Sequence, residues 1–141
     1  MAGYDRALYQ MYLSRVPMFA SCTPDQLDRL AELGDAIAVA DGNTIVSEGD
    51  AGDSFFVLTS GNLRIERGAR EVATLGDGDY FGELALFDPA PRNATVTAVG
   101  QVSLIAMSRE AFLRALDQIP AFRDALLHGM ARRLHQLDAG V

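Results

Sequence analysis

Between residues 36 and 107 the chain reads as a series of short strands, and this pattern limits its fold more than any other feature. Glycines at 49, 52, 61, 68, 76, 78 and 100 cut the stretch into pieces. The pieces are TIVS (44–47), SFFVLT (54–59), LRIER (63–67), EVATL (71–75), TVTAV (95–99) and VSLIAM (102–107). They are rich in β-branched and aromatic residues, which suit a pleated, half-buried surface. Ahead of them Ile37 and Val39 alternate with small residues, and Asp41-Gly42 marks a turn. Many short strands separated by turns predict a sandwich or barrel, not a parallel sheet.

Helical periods flank this middle. Leu8, Met11 and Tyr12 share one face of a segment over 4–15, with Tyr4 and Arg15 on the same side, and Pro17 ends it. This stripe is expected to pack in the core or in self-association. Thr23-Pro24-Asp25-Gln26 is a helix start: Thr23 caps, Pro24 suits the first position, and Gln26 completes a capping box. Leu27, Leu30 and Leu33 follow on one face, and Gly34 closes the helix. Ser108 caps a later helix through Phe112, Leu113 and Leu116. Pro120 interrupts it, and a last helix carries Phe122, Leu126, Met130, Leu134 and Leu137. The expected fold is mainly β with flanking helices, in one domain over 1–141. A helical part (1–34) precedes the β-barrel (35–107), and helices close the chain (108–138).

Charge and composition exclude several functions. The chain has 141 residues, about half of them apolar, enough for a core without covalent staples. A net charge of −7 argues against a nucleic-acid footprint, and an anionic ligand would need local groups to hold it. Cys22 is the only cysteine, so there is neither a disulfide framework nor a thiolate metal cluster. His128 and His135 lie seven apart with no third ligand near them in sequence, so no metal is expected. The N-terminus MAGYDRALYQ is too polar for a signal peptide, and no apolar run approaches the ~18 residues of a membrane span. The reading is a soluble, cytoplasmic protein.

FGELALFDPAPRNATV (81–96) carries the chemistry. Gly82 permits a sharp turn, and Glu83-Leu84-Ala85-Leu86 can form one helical turn whose first N–H groups have no helical partner. Such donors suit an oxyanion. Asp88-Pro89-Ala90-Pro91 stops the turn, and Arg92 arrives at the next strand with a guanidinium able to fork onto two phosphate oxygens. Glu83 would repel a phosphate, and a carboxylate only accepts hydrogen bonds, so a hydroxyl is its natural partner. A phosphate beside a sugar hydroxyl points to a nucleotide. The alternative is that Glu83 and Arg92 form a structural ion pair. Nothing resembles a catalytic constellation, so the chain is not expected to be an enzyme.

The same stretch closely resembles the phosphate-binding cassette of the cyclic nucleotide-binding domain family. The family pattern, F-G-E-x-A-L then P-R-x-A-T-V, is met by Phe81, Gly82, Glu83, Ala85, Leu86, Pro91, Arg92, Ala94, Thr95 and Val96. EGDAGDSFFVLTSGNLRI (48–65) resembles its Gly-rich strand and turn, with Gly49, Gly52, Asp53 and Gly61 in their usual places. The likeness covers roughly residues 16–138. It implies an eight-stranded, jelly-roll-like double-stranded β-helix barrel, with the last helices as a lid over the ligand. It also implies that Arg92 binds the cyclic phosphate with backbone amides near Ala85, Asn93 and Ala94. Glu83 takes the ribose 2′-hydroxyl, with the backbone of Gly82 and Leu84 alongside. Met130 and Arg133 are candidates to cover the base, Arg133 by stacking or else as a solvated arginine beside Arg132. Asn93 departs from the residues usual at its position and leaves the base preference open; cAMP is the expected ligand and cGMP, or weak discrimination, the alternative. The implied function is a cAMP sensor whose C-terminal helices move; the alternative is a non-sensing scaffold. The 141 residues leave no room for a helix-turn-helix, a kinase or a channel pore. The readout is therefore expected to be an effector protein or homodimer, met through the N-terminal or lid helices, or a domain attached in a longer chain.

Overall fold

Two long strands organise the sheet. In the computed structural model, which describes residues 6–137, the helices α1 (Arg6–Ser14) and α2 (Pro24–Leu33) come first, with a 3-10 turn at Pro17–Phe19 between them. The strands are β1 (Asp35–Val39), β2 (Thr44–Val46), β3 (Ser54–Arg67), β4 (Arg70–Leu75), β5 (Tyr80–Phe81) and β6 (Thr95–Ser108). A short helix α3 (Glu83–Phe87) separates β5 from β6, and α4 (Arg109–Gln118) and α5 (Pro120–Leu137) follow. Tyr4 and residue 138, the end expected for the last helix, lie outside the described residues.

The sequence pieces 54–59 and 63–67 are one strand, β3, and 95–99 and 102–107 are one strand, β6. The two pair antiparallel from Ser54↔Ser108 to Glu66↔Thr95, with register shifts near Ser60. There Gly61 stands against Gly100–Val102, between the pairs Ser60↔Ser103 and Asn62↔Val99. Gly61 (φ 114°) and Gly100 (φ 75°) take conformations other residues avoid, so each strand bends and continues where a turn was expected. A Cβ on Gly61 would lie 2.9 Å from the Gln101 carbonyl oxygen.

The bend divides the ladder into two four-stranded halves. One half runs β1-β6-β3-β5, with Ile37↔Leu104 and Phe56↔Phe81 among its pairs. The other runs β2-β6-β3-β4, with Thr44↔Thr97 and Ile65↔Ala73. The eight segments expected for the roll are therefore present, carried by six strands. One core cluster joins Phe56, Leu58, Phe81, Val102 and Leu104 of the first half to Leu63, Val96 and Ala98 of the second, so the halves face each other. Phe55 and Val57 point the other way and are also buried; the Phe55 ring lies 4.7 Å from Phe112 and 5.7 Å from Tyr80. Strand β1 is an edge, and Ile37 on it is exposed.

Leu33–Phe112 form one compact unit, and the described residues before and after it form a second, helical one. The capping box forms in this helical unit: the Gln26 N–H donates to Thr23 Oγ1 (3.2 Å), and the Thr23 N–H to Gln26 Oε1 (2.9 Å). Its buried residues include Leu13, Phe19, Leu27, Leu30, Ala115, Ile119, Phe122 and Leu126, with the Phe19 and Phe122 rings 6.1 Å apart. Only some of the apolar residues on these helices are buried. On α1 Leu13 is buried while Met11 and Tyr12 are exposed; on α4 Ala115 is buried while Leu113 is exposed; on α5 Leu134 is exposed. No helix among the described residues is long and apolar enough to cross a membrane.

Candidate functional site

Helix α3 starts at a point only glycine fits. Gly82 has φ 96°, and a Cβ there would lie 2.6 Å from the Ser54 carbonyl oxygen and 2.8 Å from Arg92 Nη1. The Phe81 ring stacks on Phe56 at 4.8 Å and fixes the approach. The helix ends at Asp88, whose N–H returns to the Leu84 oxygen (2.9 Å). After Pro91, which bridges to Ala51, the Arg92 N–H donates to the Asp50 oxygen (2.7 Å). Its own carbonyl accepts from the Gly49 N–H (2.8 Å). The loop of residues 49–54 and the arginine are thus locked together through the main chain.

Arg92 is 9% exposed. Nη2 donates to the Ser54 carbonyl at 2.6 Å, Nη1 more loosely to the Gly82 carbonyl at 3.4 Å, and the Phe56 ring centre is 6.0 Å from Cζ. Burial pulls its pKa below the ordinary value; the carboxylates of Asp53 and then Glu83 act in the opposite direction. A guanidinium has five N–H groups, so these two bonds leave donors for a further acceptor. Glu83 is 3% exposed, and its attraction for Arg92 is present, as both readings of the pair require.

Two residues outside the expected site help to build it. Gly52 does more than turn the chain: a Cβ on it would lie 2.5 Å from Ala85 Cβ and 3.3 Å from Arg92 Nε, so the loop and α3 pack without room for a methyl. Arg109, the first residue of α4, donates from Nη1 to the Leu86 carbonyl (2.7 Å) and from Nη2 to the Ala85 carbonyl (3.1 Å). Its N–H donates to the Asp53 carbonyl (3.0 Å). The one sequence signal near it was the Ser108 cap, which is formed: the Ala111 N–H donates to Ser108 Oγ at 3.1 Å.

The structure brings Gly82, Glu83, Ala85 and Arg92 together. Leu84 is 62% exposed on α3, whereas Ala85 and Ala94 are buried. The Asn93 side chain is exposed, and its carbonyl accepts from Arg67 Nε at 3.1 Å. Met130 and Arg133 lie on α5, in the helical unit. Among the described residues no group of three or more His, Cys, Asp or Glu is placed to hold a metal ion.

A model of the cyclic nucleotide-binding domain matches residues 36–119. The chain belongs to this family. The domain is 38% identical over 116 residues to a cAMP-dependent protein kinase regulatory subunit of Aspergillus niger, covering 81% of this chain and 28% of that protein. Thermus thermophilus catabolite activator protein is 31% identical, with a TM-score of 0.77 over 86% of this chain and 60% of that one. The regulatory domain of Toxoplasma gondii PKA, crystallised with cAMP, is 27% identical, with a TM-score of 0.74 over 90% of this chain and 50% of that one. The chain spans a quarter to a third of the curated kinase subunits it matches, from 25% to 31% in four of them.

Proposed function

We propose that this domain is a cAMP sensor. The carrying observation is the buried Arg92 guanidinium at the start of α3, with donors beyond those it spends on Ser54 and Gly82 and with Glu83 buried beside it. In this reading Arg92 and the amides near Ala85, Asn93 and Ala94 bind the cyclic phosphate. Glu83, with the backbone of Gly82 and Leu84, takes the ribose 2′-hydroxyl. The likeness to a PKA domain crystallised with cAMP supports the choice of ligand. Met130 and Arg133 cover the base, and an Arg–base stack would add about 0.5–2 kcal/mol. Phosphate binding draws α3 inward and the C-terminal helices reposition, which signals to a partner or an attached domain. The ligand shifts that equilibrium only by its differential affinity for the two helix positions.

Calorimetric titration with cAMP and cGMP tests the reading. Binding without turnover is expected, with cAMP the tighter ligand. Arg92→Ala should weaken it by at least about 1.5–3 kcal/mol, the worth of a charge-assisted hydrogen bond. A 2′-deoxy analogue should lose affinity through Glu83. No binding of either nucleotide would leave the scaffold reading, and tighter cGMP binding would reverse the assignment of the base.

A further inference from the structure

We propose that Arg109 is a positioning residue for the cassette, which it holds without touching the ligand. This rests on reading α3 as the phosphate-binding element. Helix α3 has five residues, too few to be stable on its own, and the carbonyls of its last turn have no partners inside it. Two of them, on Ala85 and Leu86, are taken by the forked guanidinium of Arg109 at 3.1 and 2.7 Å. A cation there also suits the negative end of the helix. The same residue's N–H is bonded to the Asp53 carbonyl at 3.0 Å, and Asp53 is the leading carboxylate acting on Arg92. Arg109 thus ties the far end of α3 to the loop whose other residues seat Arg92. Since it is also the first residue of α4, a displacement of α3's last turn is handed directly to α4.

The planar fork reaches two carbonyls, whereas a lysine ammonium would reach one. Wild type, Arg109→Lys and Arg109→Ala are titrated with cAMP by calorimetry, well below their melting temperatures. Amide exchange of Asp88, whose N–H closes α3, is followed in the ligand-free proteins. We expect Arg109→Ala to bind about tenfold more weakly, Arg109→Lys to be intermediate, and Asp88 to exchange faster in the same order. A purely structural role would lower the melting temperature and leave the affinity of the folded protein alone. Wild-type affinity in a folded Arg109→Ala protein overturns the inference. If that variant does not fold, Arg109→Lys decides by the same measure. If the wild type binds no cyclic nucleotide, the sensor reading fails, and exchange alone judges the clamp: unchanged protection of Asp88 overturns it.

Discussion

Gly52→Ala isolates the packing between the Gly-rich loop and α3. The added Cβ would lie 2.5 Å from Ala85 Cβ, against about 3.5–4.0 Å for carbons in contact. Ala85 Cβ is fixed to the α3 backbone and cannot rotate away. Arg92 Nε at 3.3 Å and the Ala90 oxygen at 3.4 Å close the other directions. Either the loop or α3 must therefore move by about 1 Å, at the cost of about 1–3 kcal/mol typical of overpacking. Gly52 is not among the glycines with positive φ, so backbone strain adds nothing, and the stiffer unfolded chain returns about 0.4–1 kcal/mol. The net loss is about 1–2 kcal/mol, or roughly 3–8 °C in melting temperature. Because the shifted atoms border Arg92, cAMP affinity should also fall, by about tenfold. Gly42→Ala is the control. It meets nothing within 4 Å but has φ 82°, so it should lower stability by about 1–2 kcal/mol and keep its affinity. Calorimetry and thermal melting of both variants decide. A Gly52→Ala protein that melts at or above the wild-type temperature and binds equally well would refute the packing argument.

Thr23→Ala removes the capping box of α2 and should cost about 1 kcal/mol in thermal or urea unfolding. Its cAMP affinity should remain close to that of the wild type, because the proposed phosphate and ribose contacts lie in the β unit; a loss as large as that of Arg92→Ala would contradict that placement. Burial pushes the Cys22 thiol up, so it should alkylate more slowly than free cysteine at pH 8, and denaturant should abolish the difference. The unfolded thiol ionises more readily than the folded one, so its contribution to stability is present below the ordinary thiol value and lost as the pH rises above that through the raised folded value. Equal alkylation rates in folded and unfolded protein would contradict that burial.

Local chemistry was legible wherever a few adjacent residues decide a structure. The Thr23 box and the Ser108 cap form as their spacing predicts, because each needs only donors and acceptors three residues apart. The turn at Gly82 was legible for the same reason. Continuity through Gly61 and Gly100 was not, since a bulge and a turn use the same residue and only the partner strand distinguishes them. Which apolar residues of α1 and α5 are buried was not legible, because Met11 and Leu134 are as apolar as Leu13 and Leu126; what packs against a helix chooses its face. Gly52 and Arg109 act on α3 across gaps of 33 and 23 residues (85 − 52 and 109 − 86), and neither carries a local signature of that contact.

The charges around Arg92 bear on which anion the site suits. One guanidinium faces Asp53 and Glu83, so its immediate neighbourhood is negative, in a chain of net charge −7. Attraction by net charge therefore cannot hold a phosphate there. In the proposed reading the hold comes from directed donors: the forked N–H groups of Arg92 and the amides at the start of α3. In that reading directed donors satisfy the two exocyclic oxygens of a cyclic phosphodiester, which carries a single charge. An open monophosphate carries nearly two at neutral pH and meets the same two carboxylates with almost twice the repulsion. In the same proposed reading the carboxylate pair offsets part of the desolvation of Arg92 and should disfavour the hydrolysed ligand relative to the cyclic one.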